Sequence, residues 1–278
     1  MLFGIALHEF VWMLAAVIAA GLVSGVLGGL FGVGGGAVIV PALYEVFRAL
    51  GVPEEVRMQL CVGTSTAIIV PTVIRSFLVH RAKGLVIPGV IGLWALPAVL
   101  GVAVSSVIAA FAPAGIFTLA FVVIATFMAV KLIFAGDRWH LGDELPGTAA
   151  MRIYGFLIGL GGSLMGVSGG GLSTIVLTLY RRPIHQAVAT STGVAVPITL
   201  AGSVGFVLAG LPHIAQLPAL SLGFVSLIGV VVMAPLASVV APFGARLAHR
   251  LPRRWLSIAF GSFLQLVALR FVFSLIWP

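Results

Sequence analysis

The sequence predicts an all-α polytopic membrane protein, built from two inverted-topology repeats. Each repeat is a glycine-broken helical hairpin followed by three transmembrane helices. Three observations predict this: the composition, a motif that occurs twice, and one segment too short to cross a bilayer and return. The 278-residue chain is 61% hydrophobic and only 8% charged, whereas soluble domains carry roughly 25% charged residues. Apolar windows near the ~20 residues that a bilayer core demands recur at 10–30, 62–79, 85–111, 112–135, 188–210, 214–243 and 255–277. Lipid is therefore the expected solvent, and the bilayer the first expected partner.

The motif that occurs twice sets the domain organisation. VGTSTAIIVP at 62–71 matches VATSTGVAVP at 188–197 at six of ten positions. Upstream of each copy lies a glycine cluster, GVGGG at 32–36 and GVSGGG at 166–171, and KLIF at 131–134 is echoed by RFVF at 270–273. Recurrence in the same order reads as a duplication, with the join in the charged stretch 136–147. The first repeat is then 1–140, with a hairpin at 11–50 and spans near 60–80, 85–109 and 113–135. The second is 141–278, with a hairpin at 153–180 and spans near 186–209, 217–242 and 254–277. Between cluster and triplet the first half carries nine more residues.

Loop charge orients the elements. HRAKG at 80–84, Arg181 with Arg182, and the stretch holding Arg246, Arg250, Arg253 and Arg254 are basic, while the connections near 109–113 and 210–217 carry no charge. Basic connections belong in the cytoplasm, so the first triplet helix runs inward and the second runs outward. The repeats are thus inverted, and both termini fall outside. Residues 153–180 must leave the cytoplasmic face and return to it in 28 residues, where two full crossings need about 40. A hairpin of short helices with the glycines at its tip satisfies that limit. Residues 11–50 follow the same logic, with arms 11–30 and 37–50, and the two tips enter from opposite faces to meet near the midplane.

Irregular backbone inside a bilayer is tolerated where it is buried in protein or lines a polar cavity. A glycine tip frees N–H groups at the start of the returning helix, and such helix starts bind anions without a lysine. Paired broken helices in inverted repeats point to a transporter's substrate site. The candidate site residues are Gly34, Gly35, Gly36, Ser168, Gly169, Gly170 and Gly171 at the tips. Thr64, Ser65, Thr66, Thr190, Ser191 and Thr192 in the triplets add hydroxyls, each about two turns into the following helix. Small residues also serve as close-packing surfaces, and Ser or Thr often back-bonds within its own helix. The joint recurrence of cluster, triplet and proline in both halves favours the site.

Charges inside spans are functional suspects. Arg75, four residues after Pro71, either reaches the cavity as a substrate-binding cation or snorkels to the inner surface. Glu45, on the short return arm, reads first as a snorkelling interfacial group and second as a proton-coupling group, and the coupling ion, H+ or Na+, stays open. Lys131 and Arg270 hold matching late positions and read as interfacial anchors. Gly32 to Ala37 with Glu54 loosely fits a dinucleotide fingerprint, but that motif needs a βαβ unit which the apolar spans do not offer. The net charge of +8 lies in loops, so nucleic acid is not an expected partner. The single Cys61 leaves no internal disulfide or cysteine-rich metal site. No metal-ligand cluster, cofactor motif or acid–base set is visible, which argues against an enzyme. The N-terminus has no basic residue before its first apolar run and no small-residue cleavage pattern, and it reads as a mature start rather than a signal peptide.

Gly32 to Pro41 as GxGGGxxxVP, Gly63 to Ser65 as GTS, and their second copies together resemble the TauE/SafE family of sulfite exporters over essentially the whole chain. The second copy departs at Ser168, at Ala189 in place of Gly63, and at Val176 in place of Pro41. The resemblance implies a multi-pass protein of the prokaryotic inner membrane that carries small sulfur-containing anions such as sulfite, sulfonates or sulfoacetate, inward or outward. The resulting expectation is a secondary transporter working by alternating access. The alternatives are a passive anion channel and a non-transporting scaffold that binds a partner through 136–152 or 246–254.

Overall fold

The computed structural model describes residues 15, 17–27, 35–135, 139–248 and 253–276. Among them run ten α-helices: α1 Val17–Leu27, α2 Gly36–Ala49, α3 Glu54–Ala82, α4 Val90–Phe111, α5 Ala114–Val130, α6 Thr148–Leu164, α7 Gly170–Leu179, α8 Ile184–Gly210, α9 Leu227–Ala248 and α10 Arg253–Ile276. A π-turn, Lys131–Ala135, extends α5, and a 3-10 turn, Leu211–Gln216, extends α8. Five helices are long and apolar enough to cross a membrane: α3, α4, α5 to Phe134, α8 to Gln216, and α9 to Gly244. Within α10 the apolar stretch is Ser257–Phe273, shorter than a full span. The protein is an all-α polytopic membrane protein. Its outward rows are apolar, as with Leu200, Val204 and Leu208 on α8, which suits a lipid solvent.

The arms of the second hairpin are α6 and α7. With 10 residues α7 rises about 15 Å, half of a bilayer core. In the first hairpin α2 has 14 residues, one turn more. Another four residues lie between the start of α3 and Thr64 than between the start of α8 and Thr190. Counted from the capping glycines Gly35 and Gly169, the excess in the first half is therefore eight residues, two helical turns. Pro41 sits inside α2 and does not end it. Both return arms stop instead in turns, Leu50–Val52 and Tyr180–Pro183.

Helices α3 and α8 form the centre and run antiparallel. Gly63 of α3 faces Phe206 of α8, while Phe77, further along α3, faces Gly193. The outer helices pair reciprocally. Helix α4 lies along α6, with Gly155 against Trp94 and Gly159 against Ala98, and α9 lies along α1, with Gly25 against Ala237 and Gly244 against Val26. Helices α5 and α10 pack on each other, through Phe121 and Phe271 with ring centroids 5.0 Å apart. Each half thus lends its second long helix to the first arm of the other half's hairpin.

The stretch expected to be helical from 217 begins otherwise. A small antiparallel β-hairpin, β1 Ser221–Leu222 with β2 Val225–Ser226, precedes α9. Phe224 at its bend is fully buried, and its N–H donates to the Phe206 carbonyl at 3.1 Å. The physical reason is satisfaction of backbone groups: this segment finds its acceptors on α8 and α3, so it has no need to be helical inside apolar surroundings. In the same way α4 starts at Val90 rather than 85, behind Pro88 and Gly89.

Candidate anion site

Helix α2 starts at Gly35 with φ 75°, and α7 starts at Gly169 with φ 70°. A left-handed cap costs an L-residue about 1–2 kcal/mol and costs glycine essentially nothing, which is why both positions are glycine. The Gly35 carbonyl accepts the N–H groups of Val38 and Ile39, and the Gly169 carbonyl accepts that of Ser173. The earlier N–H groups of each helix precede the intrahelical ladder. Ser168 Oγ accepts the Gly170 N–H at 3.4 Å. Both tips are buried, Gly35 and Gly36 as well as Ser168 to Gly171.

The tips touch. A Cβ on Gly36 would lie 2.5 Å from the Gly166 carbonyl oxygen and 3.0 Å from Val167 Cα. Ser65 Oγ donates to that same Gly166 carbonyl at 2.8 Å. Residues 101 positions apart, one from each half, are thereby joined at the second tip.

The six triplet residues are each no more than 1% exposed, and their hydroxyls divide the work. Thr64 Oγ1 accepts the N–H of Ser226 at 2.9 Å, and Thr190 Oγ1 accepts the N–H of Ile87 at 2.9 Å. Each therefore docks the non-helical segment that leads into the other half's next long helix. Thr66 and Thr192 back-bond to Val62 and Ala189, the ordinary behaviour of a helical threonine. Ser191 stays within its own half, donating to the Val188 carbonyl and accepting from Thr174, both at 2.9 Å. The two serines are thus not equivalent.

Other sequence candidates fall elsewhere. Gly34 lies outside the described residues. Arg75 is exposed on α3, ten residues beyond Ser65, about 15 Å along the helix, and it is not part of the buried cluster. Glu45 sits at the far end of α2 from the tip, half-exposed, 2.8 Å from Arg270 and 3.8 Å from Arg48. Lys131 Nζ donates to the Trp139 carbonyl at 3.4 Å. Among the described residues no group of three His, Cys, Asp or Glu side chains is placed to hold a metal.

Sequence reasoning missed Ser163 and Ser173. Each is buried with a hydroxyl that has no partner among the described residues, and each flanks the second tip. Aligning the halves on Gly35 and Gly169 pairs them with Gly29 and Ile39, so the signal was a hydroxyl present in one copy only.

The comparisons agree with this architecture. The family described as "Sulfite exporter TauE/SafE" matches residues 17–271. A "Probable membrane transporter protein" of Haemophilus influenzae is 29% identical over 249 residues, covering 90% of this chain and 94% of its own. A second protein described as a probable membrane transporter, from Methanocaldococcus jannaschii, is 25% identical over 265 residues, covering 94% and 96%. No solved structure matches the chain significantly. A family match that spans both hairpins and nearly every long helix leaves one conclusion: the chain belongs to the TauE/SafE sulfite exporter family of membrane transporters.

Proposed function

We propose that this chain is a secondary transporter of the prokaryotic cytoplasmic membrane that moves a small sulfur-containing oxyanion, such as sulfite or a sulfonate, by alternating access. The observation that carries the proposal is the backbone contact between two buried, glycine-capped helix starts, one from each half, bridged by Ser65 and Gly166. Two such starts give neutral donors and converging partial positive charge, which suit an oxyanion held without a buried cation. The proposed repeats are 1–140 and 141–278. The antiparallel course of α3 and α8 supports opposite insertion of the two. Rocking one repeat against the other parts the tips, frees Ser65 Oγ from Gly166, and exposes the donors to one face at a time. Glu45, tied to Arg270 at a helix end, is no candidate for coupling at the midplane, so a coupling ion would be held elsewhere.

Reconstitution tests this reading. Proteoliposomes should take up sulfite saturably, with trans-stimulation by unlabelled sulfite. Uptake without trans-stimulation would indicate a channel, and no specific flux would leave only a scaffold. Ser65→Ala together with Ser191→Ala should lower flux or affinity; unchanged values for both would refute the site.

A further inference from the structure

We infer that Ser163 is a substrate-contacting hydroxyl supplied by the second half alone, so that the oxyanion seats nearer the α7 tip than the α2 tip. This rests on the transporter reading above and deepens it. Ser163 is 1% exposed and its Oγ has no partner among the described residues. A helical serine ordinarily bonds the carbonyl one turn back, as Ser106 and Ser203 do here. An unpaired buried hydroxyl is a standing cost to the folded state, and such costs persist where they serve a function.

The position of that hydroxyl is specific. Ser163 is one residue from the end of α6, and its carbonyl accepts the Gly166 N–H at 3.1 Å. Its neighbour Gly162 abuts the α7 cap, where a Cβ would lie 2.7 Å from Gly169 Cα. On the other side a Cβ on Gly202 would lie 3.9 Å from Ser163 Oγ, 3.7 Å from Val102 and 2.8 Å from the Thr66 methyl. The hydroxyl therefore sits where α6 and α8 of one half meet α3 and α4 of the other, on the residue next to Gly162, which abuts the start of α7. Rocking the halves opens this junction. A neutral hydroxyl donor there suits the acceptor oxygens of an oxyanion. Because the counterpart position is Gly29, the donor set is lopsided, and a ligand with one polar end is held in one orientation.

The test uses the full chain in detergent and in proteoliposomes, with sulfite and methanesulfonate as probes. Ser163→Ala should fold, melt about 2–4 °C higher without ligand because the orphan hydroxyl is gone, and bind sulfite about tenfold more weakly. The loss should fall on half-saturation rather than on maximal rate, and Ser163→Thr should restore part of it. Unchanged affinity overturns the proposal. So does failure of Ser163→Ala to fold, because that would reveal a structural partner for the hydroxyl. If Ser65→Ala lowers transport while Ser163→Ala does not, this inference falls and the transporter reading stands. If the unaltered protein neither binds nor moves either probe, both fall.

Discussion

The hydroxyls of the two triplets have the same chemistry and unequal consequences. Thr64 and Thr190 each accept a backbone N–H, that of Ser226 at the end of β2 and that of Ile87 before α4, so replacing either by isosteric valine leaves that donor without its acceptor. That costs about 1–3 kcal/mol. Thermal unfolding of Thr64→Val and Thr190→Val should shift downward by several degrees. Thr66→Val should be nearly neutral, because the Val62 carbonyl it bonds already belongs to a helix ladder. The cap glycines are stricter still. At Gly35 an alanine meets both the left-handed φ and the Ser24 carbonyl, 2.5 Å from its Cβ. Gly35→Ala and Gly169→Ala should each lose at least about 1–2 kcal/mol, measured by the same melt. The residue scale is also where the sequence was least readable. A triplet proclaims its hydroxyls, but which one docks a chain and which back-bonds depends on partners more than a hundred residues away.

At the scale of elements, arithmetic led to the expectation of a hairpin over 153–180. Twenty-eight residues cannot make two crossings, and the chain answers with α6 and a ten-residue α7 around a glycine turn. The β-hairpin before α9 was not legible. Its residues read as the front of a span because hydropathy cannot separate a buried extended segment from a helix, and only Phe206 and Thr64 supply the acceptors that settle it. Contact between α4 and α6 depends on glycines packed against backbone, as is usual between helices in lipid. Gly159→Leu should wedge α4 from Ala98, and loss of folded protein in size-exclusion profiles would register it. A variant that behaves like the parent would mean that this contact is loose.

Over the whole molecule, the two halves exchange partners rather than sit side by side. The arrangement makes a sharp prediction about sidedness. In a Cys61→Ala background, Lys83→Cys after α3 and Gln216→Cys after α8 mark equivalent ends of corresponding helices. Inverted repeats require an impermeant thiol reagent to label them from opposite faces of the membrane. Labelling from the same face would make the duplication parallel and remove the basis for opposed tips. The repeated triplet suggested a duplication, but nothing in the sequence announced the reciprocal pairing of α4 with α6 and α9 with α1. Each half's glycines record only that something packs closely there, not what.

The exchanged docking also sets an order in time. The N–H of Ile87 bonds a threonine 103 residues later in the chain, and Thr64 receives a donor from 162 residues later. At synthesis rates of about 5–20 residues per second, the first half waits several seconds or more before these partners exist. Thr190 answers Ile87 first, and Thr64 is answered only once Ser226 has been made, so both exchanged contacts form late in synthesis.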